Sequence, residues 1–325
     1  MITTNNGSFP WRGLPLGEAW RQAQEAPRDG ADHPARLKEA RDRVTRQAIE
    51  AQVAAGCDLP TDGRVGRDDP GASTIAALAG VEAGPERAGY PAGDRAYRVP
   101  VVRGEVAWKG ALVAEDYLFA APAAGRPVKP ILTGPYTLAV IAEDHAYGDP
   151  MALATALAAA INQELRALQA AGASVIQVDE PAILGRPDDF PIFTRVWEVL
   201  GRGVQSPLVL HLEGGDIRGV WPGVLRLKRL GCLSVDCVTV PGNLDILQSE
   251  TLPEGLALGL GLVGGQDDGL ETAAAVAGRV RHAPALPPAA RLVLGTGPDL
   301  GRLDTAAATA KLRALDGARR LIAAV

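Results

Sequence analysis

The stretch MALATALAAAINQELRALQAAGASVIQVDE, which runs from Met151 to Glu180, predicts one helix followed by one strand. Its alanine-rich first part is typical of a helix, and the β-branched and apolar residues of Ser174–Val178 are typical of a buried strand. Two carboxylates, Asp179 and Glu180, follow that strand directly. Alternation of helix and strand predicts parallel strands that are joined by crossover helices.

The same alternation recurs over nearly the whole chain. Further strands are predicted at Val128–Leu132, Pro207–Leu212, Cys232–Val235, Leu256–Leu262 and Arg291–Leu294, with weaker ones near Ile2–Phe9 and Cys57–Pro60. Eight such strands in 325 residues fit an α/β fold of the closed (β/α)8 TIM barrel type, for which roughly 250 residues is typical. The surplus lies mainly in Gly84–Lys109, which is rich in Gly, Pro, Arg and Val and predicts an inserted hairpin. We expect residues 1–325 to form a single barrel domain with this hairpin near residues 84–109.

Composition narrows the class of partner. The formal net charge of −5 lacks the basic excess of a nucleic-acid-binding protein, so we expect no nucleic-acid partner. No apolar stretch reaches the roughly 18 residues of a membrane span, and the first residues lack the features of a signal peptide. The three cysteines, Cys57, Cys232 and Cys237, are too scattered for a disulfide framework. The expected setting is the cytoplasm, with a small molecule as the substrate and no membrane partner.

The barrel fold predicts where functional residues lie, because its active sites use the C-terminal ends of the strands and the loops after them. Polar residues occur at these places along the chain: Asp62, Arg64, Asp179, Glu180, His211, Glu213, Asp236, Gln266, Asp267, Asp268 and Asp299. Within this set, His211 and Glu213 are two residues apart at the end of an apolar run. Residues two apart on a strand point to the same side, so we expect both side chains to face one pocket.

Several short motifs follow one another in a specific order. They are Gly7-Ser-Phe-Pro10, Thr61-Asp-Gly63, Arg67-Asp-Asp69, Thr133-Gly-Pro135, Ile176-Gln-Val-Asp-Glu-Pro-Ala182, Gly242-Asn-Leu244, Gly259-Leu-Gly261 and Ala310–Ala314. Together they resemble the catalytic C-terminal half of the cobalamin-independent methionine synthase family. The resemblance implies a TIM barrel and methyl transfer, with a methyl-folate or, in some short relatives, a corrinoid as the methyl donor.

The resemblance also implies a zinc site, from which this chain departs. The family holds zinc with His, Cys, Glu and Cys, which correspond here to His211, Glu213, Asp236 and a position near Pro298, so that both thiolates are absent. Thiolates favour zinc, whereas a His, Glu and Asp set with Asp299 in reserve favours manganese, iron or an oxygen-bound zinc. We expect His211, Glu213 and Asp236 either to hold such a divalent metal or to act without one.

The substrate-binding residues that the resemblance implies are Ser8, Asp62, Arg64, Asp179 and Glu180. Asp179 matches a carboxylate that holds the ammonium group of homocysteine, and Ser8 lies in the segment that meets the homocysteine carboxylate. Arg64 stands where the family has a second ammonium-binding carboxylate, a glutamate. A guanidinium repels an ammonium group and attracts a carboxylate or phosphate, so we do not expect homocysteine to be the acceptor.

Five of the candidate residues also have a structural interpretation. His211 has that of a hydrogen-bonded histidine at a strand end, and Glu213 has that of a solvated loop carboxylate. Glu180 is placed to bond backbone or arginine groups beside its turn, and Asp236 is placed to cap the loop that follows it. Arg64 has the alternative of pointing to solvent, in which case the reversal of charge has no functional meaning.

The sequence leaves three functions open. The first is a methyltransferase that acts on an acceptor other than homocysteine, with a methyl-folate or a corrinoid protein as the donor. There, His211 with Glu213 or Asp236 removes a proton or holds a metal that does so, while Asp179 and Arg64 hold the charged ends of the substrate. The second is a lyase like the uroporphyrinogen decarboxylase family, which shares the barrel and works without a metal. The third is a degenerate relative that binds a small molecule without catalysis.

Overall fold

The computed structural model describes residues 1–26, 33–67, 69–266, 269–283 and 285–324. The strands, in chain order, are β1 (Ile2–Thr4), β2 (Leu78–Arg87), β3 (Tyr97–Trp108), β4 (Ile131–Thr133), β5 (Glu143–Asp144), β6 (Ile176–Asp179), β7 (Leu208–Leu212), β8 (Leu230–Asp236), β9 (Ala257–Val263) and β10 (Leu292–Thr296). The α-helices are α1 (Gly17–Glu25), α2 (His33–Ala54), α3 (Ala72–Ala76), α4 (Val113–Ala124), α5 (Pro135–Ile141), α6 (Pro150–Ala170), α7 (Phe190–Leu200), α8 (Asn243–Ile246), α9 (Ala273–Arg281) and α10 (Thr305–Ala323).

Seven of the strands form one parallel sheet in the order β1-β10-β9-β8-β7-β6-β4. The chain around Leu59 lies between the two outer strands and joins them. Thr4 and Leu59 form a parallel bridge, and the Leu59 N–H donates to the Thr3 carbonyl at 3.0 Å. On the other side, the Lys129 N–H donates to the Pro60 carbonyl at 2.9 Å. The predicted TIM barrel is thereby confirmed, with its second strand reduced to a bridge.

Helix α6 shows how the sequence positions the outer layer. The Asp149 carboxylate accepts a hydrogen bond from the Met151 N–H at 3.0 Å, and Pro150 occupies the first turn, where its missing N–H is not needed. The helix buries an apolar face whose residues recur at three- or four-residue spacing: Leu153, Leu157, Ile161, Leu165 and Leu168. Among the described residues, no helix is both long and apolar enough to cross a membrane.

The strand that was expected at Val128 begins later, at Ile131. Pro130 explains the difference, because proline has no N–H to donate to a sheet ladder. Pro130 still contributes its carbonyl, which accepts a hydrogen bond from the Gln177 N–H at 3.0 Å.

An antiparallel hairpin of β2 and β3 is present where an insertion was expected, and β5 pairs with β3 in parallel. The hairpin begins at Leu78 rather than at Gly84. Its register is irregular after Ala79 and again after Ala83, and such bulges interrupt the alternation that reveals a strand in sequence. The hairpin tip, which we define as residues 88–96, reaches the C-terminal end of β7.

The two ends of the barrel differ in how they are filled. A cavity of about 440 Å³ occupies the N-terminal half of the barrel, where Ala257, Gly259 and Ser234 are small. The C-terminal end is covered by loops and by the hairpin tip. The main chain of Ala92 in that tip lies 2.9 Å from where a Cβ atom on Gly214 would stand, so only glycine fits there.

Candidate functional site

Charged side chains from four parts of the chain meet at the C-terminal end of the barrel. Asp179 ends β6, His211 lies in β7 and Glu213 follows β7 directly. Arg95 comes from the hairpin tip, and Asp299 comes from the loop after β10. We call these five residues the candidate site.

His211 and Glu213 face each other, as their spacing predicts. The His211 Nε2 atom lies 3.8 Å from Glu213 Oε2, and both side chains are buried. Among the described residues, His211 Nε2 has no hydrogen-bond partner. Burial by itself lowers the pKa of His211, but the carboxylates of Glu213 and Asp179 outweigh it and raise that pKa above its usual value. The pair therefore favours a protonated imidazole beside a carboxylate.

A chain of hydrogen bonds runs beneath His211 along the barrel interior. Lys129 Nζ donates to Asn6 Oδ1 at 2.7 Å, and because an ammonium only donates, this bond fixes which end of the Asn6 amide is oxygen. Asn6 Nδ2 then donates to Ser234 Oγ at 3.2 Å, and Ser234 Oγ lies 3.0 Å from His211 Nδ1. When His211 is neutral, the Ser234 hydroxyl can donate to Nδ1 and keep the proton on Nε2, facing Glu213. Burial lowers the pKa of Lys129 to about 8.

Arg95 forms ion pairs with two carboxylates of the candidate site. Its Nη2 atom donates to Glu213 Oε1, and its Nη1 atom lies 3.4 Å from Asp299 Oδ2. The guanidinium also lies over the Tyr90 ring, 5.2 Å from the ring centroid. Burial raises the pKa of Glu213 and of Asp299, but other groups together outweigh it: Arg95 with His211 for Glu213, and Arg95 with Arg64 and two backbone N–H groups for Asp299. Both pKa values are lowered, so the two groups are carboxylates at neutral pH.

Ser8 holds the other face of Asp299. The Ser8 N–H and hydroxyl donate to Asp299 Oδ2 at 3.1 and 2.8 Å, and the Gly301 N–H donates to Oδ1 at 2.6 Å. Ser8 is thus brought to the candidate site, and Asp299 is anchored by four groups when Arg95 is included.

Asp179 stands opposite His211 in the register of β6 and β7. Gln177 Nε2 donates to Asp179 Oδ1 at 2.7 Å. Burial raises the pKa of Asp179, and the positive charges of His211 and Arg64 offset this only in part. Its place at the pocket agrees with the expected substrate role, which stays a prediction.

Glu180 is directed away from the candidate site, into the fold. Its two carboxylate oxygens accept hydrogen bonds from the backbone N–H groups of Tyr136, at 3.0 Å, and Thr137, at 2.7 Å, at the start of α5. A Cβ atom on Gly134 would stand 2.2 Å from the Glu180 side chain, which explains the glycine of the Gly-Pro motif. These contacts agree with the structural alternative, a helix-capping role, and they do not support the expected substrate contact of Glu180.

Asp236 is also committed to the fold. Its Oδ1 atom accepts hydrogen bonds from the N–H groups of Val238 and Thr239, both at 3.0 Å, and Oδ2 accepts one from the Thr239 hydroxyl. The expectation that Asp236 is a catalytic residue or metal ligand is therefore not supported by its contacts. A short carboxylate followed by a tight turn bonds its own loop more readily than a distant group.

Asp62 and Arg64 lie in the same loop but make different contacts. Asp62 accepts hydrogen bonds from the Arg64 N–H, at 3.0 Å, and from the Arg67 guanidinium. These internal contacts do not support its expected substrate contact. Arg64 is only 5% exposed, so the alternative that it points to solvent is wrong. Its Nη2 atom donates to the Pro70 carbonyl at 2.7 Å, while Nε is buried without a partner among the described residues. Arg64 also lowers the pKa of Asp299, so its charge acts on the candidate site.

A cavity of about 530 Å³ opens beside Asp299, within the size range of small-molecule sites. We call it the mouth cavity. Its lining includes Ser8, Trp11 and Asp69, and it is rich in arginine: Arg12, Arg67, Arg95, Arg98 and Arg302. The Arg12 guanidinium lies 4.4 Å from the centre of the Trp11 ring. Arginines and an indole are suited to a flat ligand with negatively charged ends.

The arrangement does not fit the expected divalent metal. In the part of the chain that the structure describes, no three His, Cys, Asp or Glu side chains form a group that could hold a metal ion. His211 and Glu213 lie together, but the Asp236 oxygens are engaged by their own loop, and Arg95 occupies Glu213 and Asp299. The cysteines do not replace the missing thiolates, because burial raises the pKa of Cys232 to about 12.

The remaining polar residues of the predicted set are Gln266, Asp267 and Asp268. Gln266 is exposed, and Asp267 and Asp268 fall outside the described residues. Sequence reasoning does not identify Arg95, Asn6 or Lys129. For Arg95 there is one usable signal: the hairpin is inserted after the second strand position of a barrel, and such insertions lie on the active face.

Comparison with known proteins places this chain in a family. Residues 1–191 match the model of the cobalamin-independent synthase catalytic domain. A methionine synthase from Saccharolobus solfataricus is 32% identical over 228 residues, which cover 70% of this chain and 66% of that relative. The match thus spans slightly less than two thirds of the relative's length.

Solved structures agree on the fold. A B12-independent methionine synthase from Shewanella sp. W3-18-1, in complex with selenomethionine, matches with a TM-score of 0.82 at 23% identity and covers 99% of this chain and 98% of its own. A putative vitamin-B12-independent methionine synthase from Listeria monocytogenes matches with a TM-score of 0.73 at 17% identity, over 98% of this chain and 96% of its own. The sequence match and the shared barrel together show that this chain belongs to the family of the cobalamin-independent synthase catalytic domain.

Proposed function

We propose that this chain is a methyltransferase whose acceptor is not homocysteine. The observation that carries the proposal is the buried pair of His211 and Glu213, with a histidine nitrogen that has no other partner among the described residues. A buried acid–base pair is costly to keep unless it is used, so it supports a catalytic role over a degenerate one. Membership of a family whose named relatives are methionine synthases supports methyl transfer as the reaction.

Two features support a change of acceptor, namely the absence of the thiolate ligands and the positive charge of Arg64. The positions of the two family thiolates hold no cysteine here, and Arg64 adds a buried guanidinium in the loop where the family has an ammonium-binding glutamate. An amino acid bound through its ammonium group would meet Arg64 and Arg95 near Asp179. An acceptor with a carboxylate or phosphate group matches this pocket better.

The donor that we favour is a methyl-folate, seated in the mouth cavity. The cavity is of small-molecule size, and Arg98 and Arg302, whose guanidinium groups bond backbone carbonyls, are suited to the carboxylates of a folate. A corrinoid carried on a partner protein is the second donor, because it would need only to approach the mouth from outside.

The proposed step transfers a methyl group from the donor to the acceptor. A lone pair of the acceptor forms a bond to the methyl carbon, while the bond from that carbon to the donor breaks and its electrons stay with the donor. The acceptor loses one proton and a folate donor gains one. His211, whose pKa is raised by the carboxylates of Glu213 and Asp179, gives the proton to the donor and takes one from the acceptor.

The test uses ¹³C-methyl-labelled methyl-folate and, separately, methylcobalamin. Each is incubated with the protein and either homocysteine or a small-molecule extract, and the labelled methyl group is followed by NMR and mass spectrometry. We expect label to leave the folate with the extract but not with homocysteine, and to stay in place with His211→Ala. The control is Arg103→Ala, which removes an exposed side chain on the outer part of the hairpin.

Two results would contradict the proposal. Labelled methionine from homocysteine would restore the family acceptor. No label transfer from either donor would exclude methyl transfer under these conditions, and release of carbon dioxide from the extract would then favour the lyase alternative.

A further inference from the structure

We propose that Arg95 is the resident cation of the candidate site and replaces the metal ion of the family. This inference rests on the family relationship, and it adds to the proposed function a reason for the change of acceptor. Its first support is position. Glu213 and Asp299 lie at or beside the positions that correspond to the two family thiolates, and the Arg95 guanidinium bridges these two carboxylates.

The second support is burial. The exposed fractions of the side chains are 17% for Arg95, 6% for Glu213 and 15% for Asp299. Ion pairs at such burial are screened much less than surface pairs. A guanidinium held here neutralises the carboxylates that would otherwise attract a divalent ion, and it repels any second cation from the same place.

The third support is that the hairpin tip is built to hold Arg95 in place. The Tyr90 N–H donates to the Arg95 carbonyl at 3.0 Å, and the Gly93 N–H donates to the Tyr90 carbonyl at 2.9 Å. The Tyr90 ring packs against Tyr97, with ring centroids 5.9 Å apart, and lies under the guanidinium. The tip therefore presents Arg95 from a closed turn and not from an open loop.

The fourth support is the close seat of the tip on the barrel. Gly214 follows Glu213 and has a positive φ of 76°, and the Ala92 main chain lies where a Cβ atom on Gly214 would stand. This glycine lets the hairpin approach β7 closely enough for Arg95 to reach Glu213. The hairpin tip and the residues after β7 therefore both have features that allow this close contact.

A resident guanidinium changes the chemistry that the site offers. A metal with thiolate ligands and an open position binds a substrate thiolate and lowers its pKa. A guanidinium instead donates paired hydrogen bonds to oxygen anions. The substrate class that this cation favours is an oxygen acid, such as a carboxylate or an enol, and not a thiol.

The experiment measures metal binding directly and needs no enzymatic activity. Wild type and Arg95→Ala are purified without chelator, their metal content is determined by elemental analysis, and each is titrated with Zn²⁺ and with Mn²⁺ in a calorimeter. We expect no stoichiometric metal in wild type. In Arg95→Ala, which frees Asp299 and also frees Glu213 beside His211, we expect an affinity at least about tenfold tighter than in wild type for one of these ions. Arg103→Ala, on the same hairpin but outside the site, should behave as wild type.

A double variant keeps the test clear if Arg95→Ala folds poorly. Arg95→Met with Glu213→Gln removes both charges, so it should fold and should gain no metal affinity. Stoichiometric metal in wild type that is lost in His211→Ala would overturn the inference, as would an Arg95→Ala protein that folds and gains no metal affinity. Neither result depends on methyl transfer, so this inference and the proposed function can fail separately.

Discussion

The strand ends and the hairpin tip supply residues to one site by different means. His211 and Asp179 are paired across β7 and β6, so their separation is set by the sheet ladder. Arg95 is carried by a turn, and its place depends on Tyr90, on the contact at Gly214 and on Glu213 itself. We conclude that the ladder fixes His211 against Asp179, while the insertion sets the charge around them. The family relationship is therefore a better guide to the strand-borne residues than to the pocket as a whole.

The largest effect is expected from the loss of His211, which a strand carries to the candidate site. His211→Ala should lower methyl transfer about 10²- to 10³-fold, because general acid–base catalysis contributes on that scale. The sheet should remain intact, since the ladder of β7 uses backbone groups. Transfer rates with labelled methyl-folate, measured beside circular dichroism, provide the check. A variant that keeps more than about a tenth of the wild-type rate would separate His211 from the chemistry.

The second prediction concerns Arg95, which the hairpin tip carries to the candidate site. Arg95→Met should lower the free energy of unfolding by about 3 kcal/mol, because the buried carboxylates of Glu213 and Asp299 lose the guanidinium that pairs with both. Addition of Glu213→Gln should recover at least half of that loss. Urea denaturation measures both, and Arg103→Ala should change the value by less than about 0.5 kcal/mol. Equal stability of Arg95→Met and wild type would mean that the tip does not hold its place through this pair.

A third prediction concerns Glu180, which is strand-borne but structural. Burial raises its pKa in the folded protein to about 7, above the unfolded value near 4.5. The folded state therefore binds more protons than the unfolded state between these pH values, so the contribution of Glu180 to stability falls as pH rises from about 4.5 to about 7.

The variant Glu180→Gln removes this titration. Relative to wild type, its stability should improve over that pH interval by up to about 3 kcal/mol, at about 1.4 kcal/mol per pKa unit. Thermal or urea unfolding of both proteins at pH 5 and pH 7.5 gives the difference. If the difference is the same at both pH values, the carboxylate is charged throughout and its backbone hydrogen bonds outweigh its burial.

The smallest expected effect sharpens the role of the strand-borne residues. Ser234→Ala removes the hydroxyl 3.0 Å from His211 Nδ1, and we expect kcat to fall about tenfold with little change in KM. The pH profile of the rate should shift with it, because a neutral His211 is then free to carry its proton on either nitrogen. Ser249→Ala, at an exposed hydroxyl, is the matched control. An unchanged pH profile would indicate that Ser234 only fills space.

Much of the fold could be predicted from the sequence because its strands are buried and apolar. The strands around Val178, Leu210 and Leu260 were found where the hydrophobic pattern predicts them. The start of the hairpin could not be predicted, since bulges in β2 remove the alternation. The second strand was weak in sequence and is a bridge at Leu59 in the structure.

The candidate site was predicted in part. The juxtaposition of His211 and Glu213 follows from their two-residue spacing at the end of β7 and is confirmed. The capping roles of Glu180 and Asp236 could not be separated from substrate or metal roles, because a carboxylate at a strand end serves either. Arg95 and Glu213 are in contact although they lie 118 positions apart in the sequence, and no local sequence pattern predicts such a pair.

The bridge at Leu59 has a consequence for how the barrel moves. Elsewhere the strands share ladders of several residues, but between β1 and β4 the ring is joined by the short contacts at Leu59 and Pro60, reinforced by the hydroxyl of Thr4, which donates to the Leu59 carbonyl at 2.8 Å. Local opening of a protein begins where few backbone hydrogen bonds must break together. The amide of Leu59 should therefore exchange with solvent sooner than those of β7 and β8, and opening at this seam would reach first the loop that carries Asp62 and Arg64.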